Sequence, residues 1–239
     1  LFQHPLTAQQ PDIPVWNAAM DKETTTDWLV SSIPQKAGVW KSKDGKDLVL
    51  YNGLVKRVFR IMPNVVCYDY KNMSTGQPLL RSVKAEASII INGKAYNAGG
   101  LYGQKENAYI LPGWLDQFSA HPEDFQYTGY SVSDIKPYVN WKPGAWWSSR
   151  TTQPSGKTLT FSYQSNIADL KGLLLKINYE IYDNIPLIVK WLNIENNGTA
   201  SFKLDRVVNE ILGLVEEESA VVGSPEEMKK QHGIYVETN

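Results

Sequence analysis

Cysteine is almost missing from this chain, which has one, Cys67, among its 239 residues. A single cysteine can form no disulfide within the chain, and it cannot supply the several thiolates of a cysteine-based metal site. Histidine is scarce as well, and the chain has three: His4, His121 and His232. An enzyme that epimerises a sugar needs a positioned acid and base, commonly a histidine with a glutamate. These histidines lie at no spacing that predicts such a pair.

Long apolar runs and an excess of either charge are also lacking. No run of apolar residues approaches the roughly 20 that a membrane-spanning helix needs. The 24 basic and 25 acidic residues are well mixed, which leaves a net charge of −1 and no basic stripe. We therefore expect neither a membrane span nor a nucleic-acid partner.

Hydrophobic and aromatic residues are plentiful. They make up 42% and 11% of the chain, with eight Trp and thirteen Tyr, which is enough for the core of one large β domain. Large rings pack well in the cores of β domains, and they also stack on the apolar faces of sugars. Core packing is the more frequent role, so we assign most of these rings to the core.

A period of two in the hydrophobic pattern predicts strands, most clearly at residues 173–181, which have one strongly apolar face. Pro186 ends this strand because proline has no N–H to donate to a sheet. Residues 187–194 are apolar on both faces, which predicts a central strand covered from both sides. Alternation returns at residues 202–208. We therefore expect three neighbouring antiparallel strands at the centre of a sandwich.

Two Asn-Gly pairs, Asn52-Gly53 and Asn92-Gly93, lie between strand-like runs and predict tight hairpins. Between the second pair and the central strands, residues 105–155 show no regular pattern. A loop of that length in a compact domain is usually functional or forms an interface. This region is therefore the first place to look for a binding surface.

Residues 179–198 read Tyr-Glu-Ile-Tyr-Asp-Asn-Ile-Pro-Leu-Ile-Val-Lys-Trp-Leu-Asn-Ile-Glu-Asn-Asn-Gly. This run resembles the amino-terminal β-supersandwich of α-galactosidase-like glycoside hydrolases, a domain with the galactose mutarotase-like fold. Further similar segments lie at residues 52–57, 79–86, 99–104, 109–115, 141–143 and 154–157. The resemblance extends from about Gly38 to Asn239.

The resemblance implies an all-β fold, a two-sheet antiparallel supersandwich at residues 38–239, with residues 1–37 as an N-terminal extension packed on it. In the family, the catalytic carboxylates lie on a barrel that follows this domain, so no catalytic residue is carried over to this chain. The implied function is a non-catalytic, carbohydrate-associated domain of a secreted glycoside hydrolase. Its implied partners are carbohydrate and the downstream catalytic barrel.

Two groups of residues are candidates for the site. An aromatic cluster in the long loop, with an arginine beside it, is a candidate platform for a sugar: Tyr138, Trp141, Trp146, Trp147 and Arg150. The alternative is that these rings pack the loop onto the body. Because the family packs this domain on its barrel, the resemblance also implies candidates for a domain interface: Gly99, Gly100, Leu101, Gln104 and Trp114.

Two other functions stay open from the sequence. One is a stand-alone carbohydrate-binding module that uses the aromatic loop at residues 138–150, and the other is an epimerase or lyase on a mutarotase fold. Paired carboxylates for glycoside hydrolysis would come from acids on or beside the strands: Glu180, Asp183, Glu195, Asp205 and Glu210. The simpler explanation of these acids is cross-strand pairing with Lys176, Lys190 and Lys203.

We expect no cofactor, and the alternative is a Ca²⁺ held by loop carboxylates of Asp116, Glu123 and Asp124. The chain starts at Leu1 rather than Met, and the next residues are rich in Thr, Gln, Pro and Asp, which favours a periplasmic or secreted protein. Residues 234–239 read as the start of a strand. We therefore expect the natural chain to continue past them.

Overall fold

β-Strands form most of the regular structure in the computed structural model, which describes residues 12–106, 108–136, 155–215 and 234–238. The strands are β1 (Gly38–Lys41), β2 (Asp47–Tyr51), β3 (Val55–Arg60), β4 (Val66–Asn72), β5 (Gln77–Pro78), β6 (Leu80–Ser82), β7 (Ala87–Ile91), β8 (Lys94–Ala98), β9 (Gln126–Asp134), β10 (Gly156–Gln164), β11 (Leu173–Tyr182), β12 (Ile188–Asn196), β13 (Leu204–Val208) and β14 (Gly213–Leu214). The helical elements of these residues are 3₁₀ turns at Ala18–Met20, Pro112–Gln117 and Ala168–Leu170. None of these turns is long and apolar enough to cross a membrane.

The strands form four sheets, and every paired strand runs antiparallel to its neighbour. A five-stranded sheet has the order β1-β2-β3-β4-β5, and a four-stranded sheet has the order β12-β11-β10-β9. Smaller sheets have the orders β13-β7-β8 and β14-β6. The prediction of an all-β, antiparallel fold is therefore confirmed.

Aromatic rings join the five-stranded and four-stranded sheets in the main core. The ring of Phe59 on β3 lies 5.2 Å from that of Phe161 on β10 and 5.0 Å from that of Tyr179 on β11, measured between centroids. All three side chains are fully buried. Alternate residues of β11 face this core, as its period of two predicted. The two sheets are thus packed face to face through one shared hydrophobic core.

The predicted central trio of strands is not formed. β12 pairs with β11 but ends the order of the four-stranded sheet, and its side chains are half-buried or exposed. β13 pairs with β7 instead of β12. The prediction was wrong here because a period of two identifies a strand and not its partners. Two reciprocal hydrogen bonds of 2.9 Å between Asn92 and Lys203 hold the segment before β13 next to the end of β7.

Strand β9 lies in the region that the sequence analysis predicted to be irregular. It is paired with β10 at the end of the four-stranded sheet, and only Tyr130 among its nine residues is buried. An end strand needs no apolar face on both sides, and its polar composition hides the period of two. The prediction of an irregular segment is therefore wrong for residues 126–134.

Both predicted hairpins are present. Asn92 and Gly93 have φ angles of 51° and 80°, which a type I′ turn requires at its two central residues. In the other hairpin only Gly53 has a positive φ, at 89°. The two turns therefore have different backbone geometries although both contain Asn-Gly.

Asn52 shapes the first hairpin with its side chain. Its Oδ1 accepts hydrogen bonds from the backbone N–H groups of Leu54 and Val55, at 2.9 and 3.0 Å. Its Nδ2 donates to the carbonyl oxygens of Tyr182 and Ile185, at 2.7 and 2.8 Å. Fully buried Asn52 thus attaches the β2–β3 hairpin to the turn after β11.

Residues 12–37 run along the five-stranded sheet. The backbone N–H of Trp16 donates to the carbonyl of Lys41 at 2.8 Å. The Trp16 ring lies edge-on to Trp40 and Tyr51, at centroid distances of 5.7 and 5.2 Å. These contacts attach the segment to β1 and β2, whereas its separation from residues 38–239 as a unit stays a prediction.

Candidate functional site

The glycine loop at residues 99–104 lies against the body through close backbone contacts. The N–H of Gly100 donates to the carbonyl of Val65 at 2.8 Å, and Gly99 and Gly100 have φ angles of 67° and 104°. A Cβ on Gly99 would lie 2.4 Å from the Val65 oxygen. Glycine is required here because a side chain would collide with that carbonyl and strain the backbone.

Gln104 fixes the end of this loop. Its Oε1 accepts from the Val83 N–H at 3.0 Å, and its Nε2 donates to the carbonyls of Arg81 and Ala108, at 3.1 and 2.8 Å. Because all three contacts are to backbone, the loop is held against residues 81–83 whatever side chains surround it. Gln104, an interface candidate of the sequence analysis, thus has a defined structural role.

Two other interface candidates pack inside the protein. Leu101 is buried in a small core with Val83 and Phe118, and Trp114 is half-buried against the same core. The Nζ of Lys105 lies 6.0 Å from the centroid of the Trp114 ring. Leu101 and Trp114 therefore attach the glycine loop to this small core. Their contact with another domain stays a prediction.

A half-open cavity of about 540 Å³, which we call the loop pocket, lies beside the glycine loop. Its lining includes the side chains of Arg81, Lys84, Asn97, Tyr102, Lys105 and Glu106. Gly100, Leu101 and Gln104 also line it, so the structure places three of the five interface candidates at a cavity. Its volume lies within the roughly 300–1,000 Å³ that is usual for small-ligand sites.

Tyr102 is exposed at this pocket and yet is held in place. Its hydroxyl donates to Oδ2 of Asp124 at 2.5 Å and accepts from Nδ2 of Asn97 at 3.0 Å. Asp124 is buried, and its Oδ1 accepts from the Asn97 backbone N–H at 3.2 Å. Burial and the bond to Asp124 raise the pKa of Tyr102 to about 12, so the phenol stays neutral at physiological pH.

A second group, the buried charge cluster, consists of Arg57, Glu86, Tyr179, Lys190 and Glu210. Arg57 Nη1 lies 2.9 Å from one carboxylate oxygen of Glu210, and Lys190 Nζ lies 2.9 Å from the other. The Tyr179 hydroxyl donates to the Glu86 carboxylate, and Lys190 Nζ donates to the Glu86 carbonyl at 2.5 Å. The cluster joins β3, β11 and β12 to the segments before β7 and after β13.

Burial and pairing set the protonation of the charge cluster. Burial lowers the pKa of the Lys190 ammonium, and the carboxylates of Glu210 and Glu86 offset only part of this effect. Burial acts to raise the pKa of Glu210, but Arg57 and Lys190 outweigh it and hold that pKa below its ordinary value. Charges in the cluster satisfy one another, and none of its members lines the loop pocket.

The other acids named from the sequence have ordinary partners. Glu195 pairs with Lys176 at 2.8 Å, and Asp205 pairs with Lys203 at 2.6 Å. Glu180 is buried, and its carboxylate accepts from the Tyr182 hydroxyl at 2.6 Å. Asp183 accepts from the Ser155 hydroxyl at 2.6 Å and from the Ala37 N–H at 2.7 Å. Cross-strand pairing therefore explains Glu195, as the simpler alternative predicted.

The three acids proposed as Ca²⁺ ligands have different partners. Asp116 pairs with Lys46 and Arg60, Glu123 pairs with Lys94, and Asp124 binds Tyr102. In the described part of the chain, no group of three His, Cys, Asp or Glu side chains is arranged to hold a metal ion. Cys67 is free and buried, and burial raises the pKa of its thiol to about 12.

The aromatic platform predicted from the sequence lies outside the described residues: Tyr138, Trp141, Trp146, Trp147 and Arg150. Sequence reasoning missed the role of Tyr102, Lys84 and Asn97. Asn97 and Tyr102 are neighbours in the chain, and the fold brings Lys84, from the segment before β7, to the same cavity. A signal was present in part, since Tyr102 lies inside the glycine loop.

No protein-family model, curated protein or solved structure matches this chain.

Proposed function

We propose that the chain is a non-catalytic, carbohydrate-associated domain of a secreted or periplasmic glycoside hydrolase of the α-galactosidase-like kind. In this proposal the four antiparallel sheets are a galactose mutarotase-like supersandwich, and the domain supports a downstream catalytic barrel. The observation that carries the proposal is the loop pocket, which is lined by the glycine loop and by a fixed, exposed tyrosine ring.

A fixed aromatic ring beside polar groups suits a sugar. Tyr102 is 43% exposed, and an exposed aromatic ring can stack on the apolar face of a pyranose. Because its hydroxyl is already bonded to Asp124 and Asn97, the ring loses little freedom on binding. The amide of Asn97 and the pocket lysines supply hydrogen-bond donors for sugar hydroxyls.

Native affinity electrophoresis tests the proposal together with an assay for sugar release. The 239-residue chain should be slowed in gels that contain a soluble galactose-based polysaccharide, and it should release no sugar from aryl α-galactosides. Tyr102→Ala should restore normal migration, while Tyr235→Ala, which removes a more exposed tyrosine elsewhere, should not. Turnover by the chain alone would contradict a non-catalytic role. Unchanged migration in every polysaccharide would contradict the association with carbohydrate.

A further inference from the structure

The described side chains that line the loop pocket include more basic than acidic residues. Among the described residues, three basic side chains, Arg81, Lys84 and Lys105, line it together with one acidic side chain, Glu106. The chain as a whole has a net charge of −1, so this local excess of positive charge is not a property of the overall composition. A cavity with low-dielectric walls and charges of one sign concentrates ligands of the opposite sign.

We infer that the loop pocket binds an anionic saccharide, one that has a carboxylate or a sulfate group on its ring. This inference rests on the proposed function and narrows its ligand class. The galactose-based ligand of the family resemblance would be neutral, so the inference goes beyond that resemblance. The cations of the pocket and the ring of Tyr102 would contact the two chemical parts of one ligand.

The two lysines are available to a ligand. Lys84 and Lys105 are exposed, and no carboxylate of the described residues lies within ion-pair distance of either. Elsewhere on the surface, Lys176 and Lys203 do have such partners, at 2.8 and 2.6 Å. The ammonium groups of Lys84 and Lys105 can therefore bind an external anion without first breaking an ion pair to a described residue.

Arg81 is the third basic residue that lines the pocket. Its guanidinium lies 4.9 Å from the centroid of the Tyr109 ring. Stacking on a ring restricts a guanidinium to one plane. The Arg81 carbonyl is bonded by Gln104, so the backbone that bears this side chain is fixed as well.

The sugar part of the ligand would contact Tyr102 and Asn97, which also line the pocket. Tyr102 is fixed by buried Asp124, and Asn97 is fixed through both its side chain and its backbone N–H. A rigid ring and a rigid amide suit a pyranose, which has an apolar face and a rim of hydroxyls. A simple inorganic anion would contact the cations alone, whereas a saccharide would also contact Tyr102 and Asn97.

Binding to three polymers separates this inference from the proposed function. We would measure dissociation constants by affinity electrophoresis in gels with polygalacturonate, a sulfated galactan or a neutral galactan. One or both acidic polymers should bind at least tenfold more tightly than the neutral polymer at low salt, and this preference should shrink at high salt. Carboxylate and sulfate ligands are distinguished by which acidic polymer binds.

The variant Lys84→Gln/Lys105→Gln should lose at least tenfold in affinity for the acidic polymer and change little for the neutral one. The matched control is Lys43→Gln/Lys171→Gln, which removes two other exposed lysines that have no ion pair among the described residues. Circular dichroism and thermal unfolding confirm that both variants fold. Equal losses in the two variants would overturn the inference, since a general charge effect would then explain the binding.

Three other outcomes of these experiments would each overturn the inference. If the neutral polymer binds as tightly as the acidic ones and Tyr102→Ala abolishes it, the inference is overturned while the proposed function stands. If no polymer binds, both fail. Tight binding of a single-stranded oligonucleotide that the lysine variant removes would also overturn the inference, because the pocket would then recognise phosphate and not a saccharide.

Discussion

Arg57 is a buried cation among aromatic rings, which is a costly environment for a charge. Its side chain is 2% exposed, and its guanidinium lies 4.8–5.3 Å from the ring centroids of Phe59, Tyr70 and Tyr179. One nitrogen binds Glu210, and Nε and Nη2 have no hydrogen-bond partner among the described residues. A buried cation costs several kcal/mol when its counter-ion is removed. Glu210 is therefore expected to be the most sensitive acid of the fold.

Glu210→Gln should lower the free energy of unfolding by about 3 kcal/mol, because it removes the carboxylate charge that pairs with both Arg57 and Lys190. Glu195→Gln is the control, since its 2.8 Å pair with Lys176 is on the surface and should cost less than about 1 kcal/mol. Urea denaturation at pH 7 measures both values. Similar losses in the two variants would show that the cluster is no more important than a surface pair.

Glu210 also predicts a dependence on pH. Its pKa in the folded protein is below the ordinary value of 4.5, so its contribution to stability is complete above that value and is lost as the pH falls through the folded-state pKa. The stability difference between the wild-type protein and Glu210→Gln should therefore shrink as the pH falls below 4.5. Urea titrations between neutral and acid pH test this expectation. A difference that stays constant throughout would contradict it.

Among the elements, strand β11 and the Asn-Gly hairpins could be predicted from the sequence, because alternation and turn chemistry are local signals. Strand β9 could not, since an end strand with one buried residue has little alternation. The neighbour of β13 could not be predicted either, because pairing is decided by contacts such as Asn92 with Lys203, 111 residues apart. Local pattern identifies elements, and long-range contacts decide their order.

The two hairpins allow a matched test at the level of the element. Gly93→Ala would meet no atom within 4 Å, so only its φ of 80° opposes the side chain, at a cost of about 1 kcal/mol. At Gly53, a Cβ would also lie 2.7 Å from the Gln35 Cβ, so Gly53→Ala should cost at least about 2 kcal/mol. Chemical denaturation compares them. Equal costs would mean that residues 33–35 do not pack on this hairpin in solution.

For the whole molecule, the candidate site was only partly predictable. The sequence pointed to the glycine loop, and the structure places that loop at a cavity. It gave no sign that Lys84 would share the cavity with Asn97 and Lys105, which flank the glycine loop, because Lys84 belongs to another segment with no common motif. The aromatic loop at residues 138–150 stays a prediction. The site thus depends on tertiary assembly more than the core strands do.

The most direct test of the account is an amide chemical-shift titration of the 239-residue chain with a short galacturonate oligomer and with a neutral galacto-oligosaccharide. We predict that the galacturonate oligomer shifts the backbone signals of Lys84, Asn97 and Tyr102 in a saturable way, while the signal of Lys171 stays in place. The neutral oligosaccharide should shift the same signals more weakly. No shift at these residues with either ligand would contradict the loop pocket as a saccharide site.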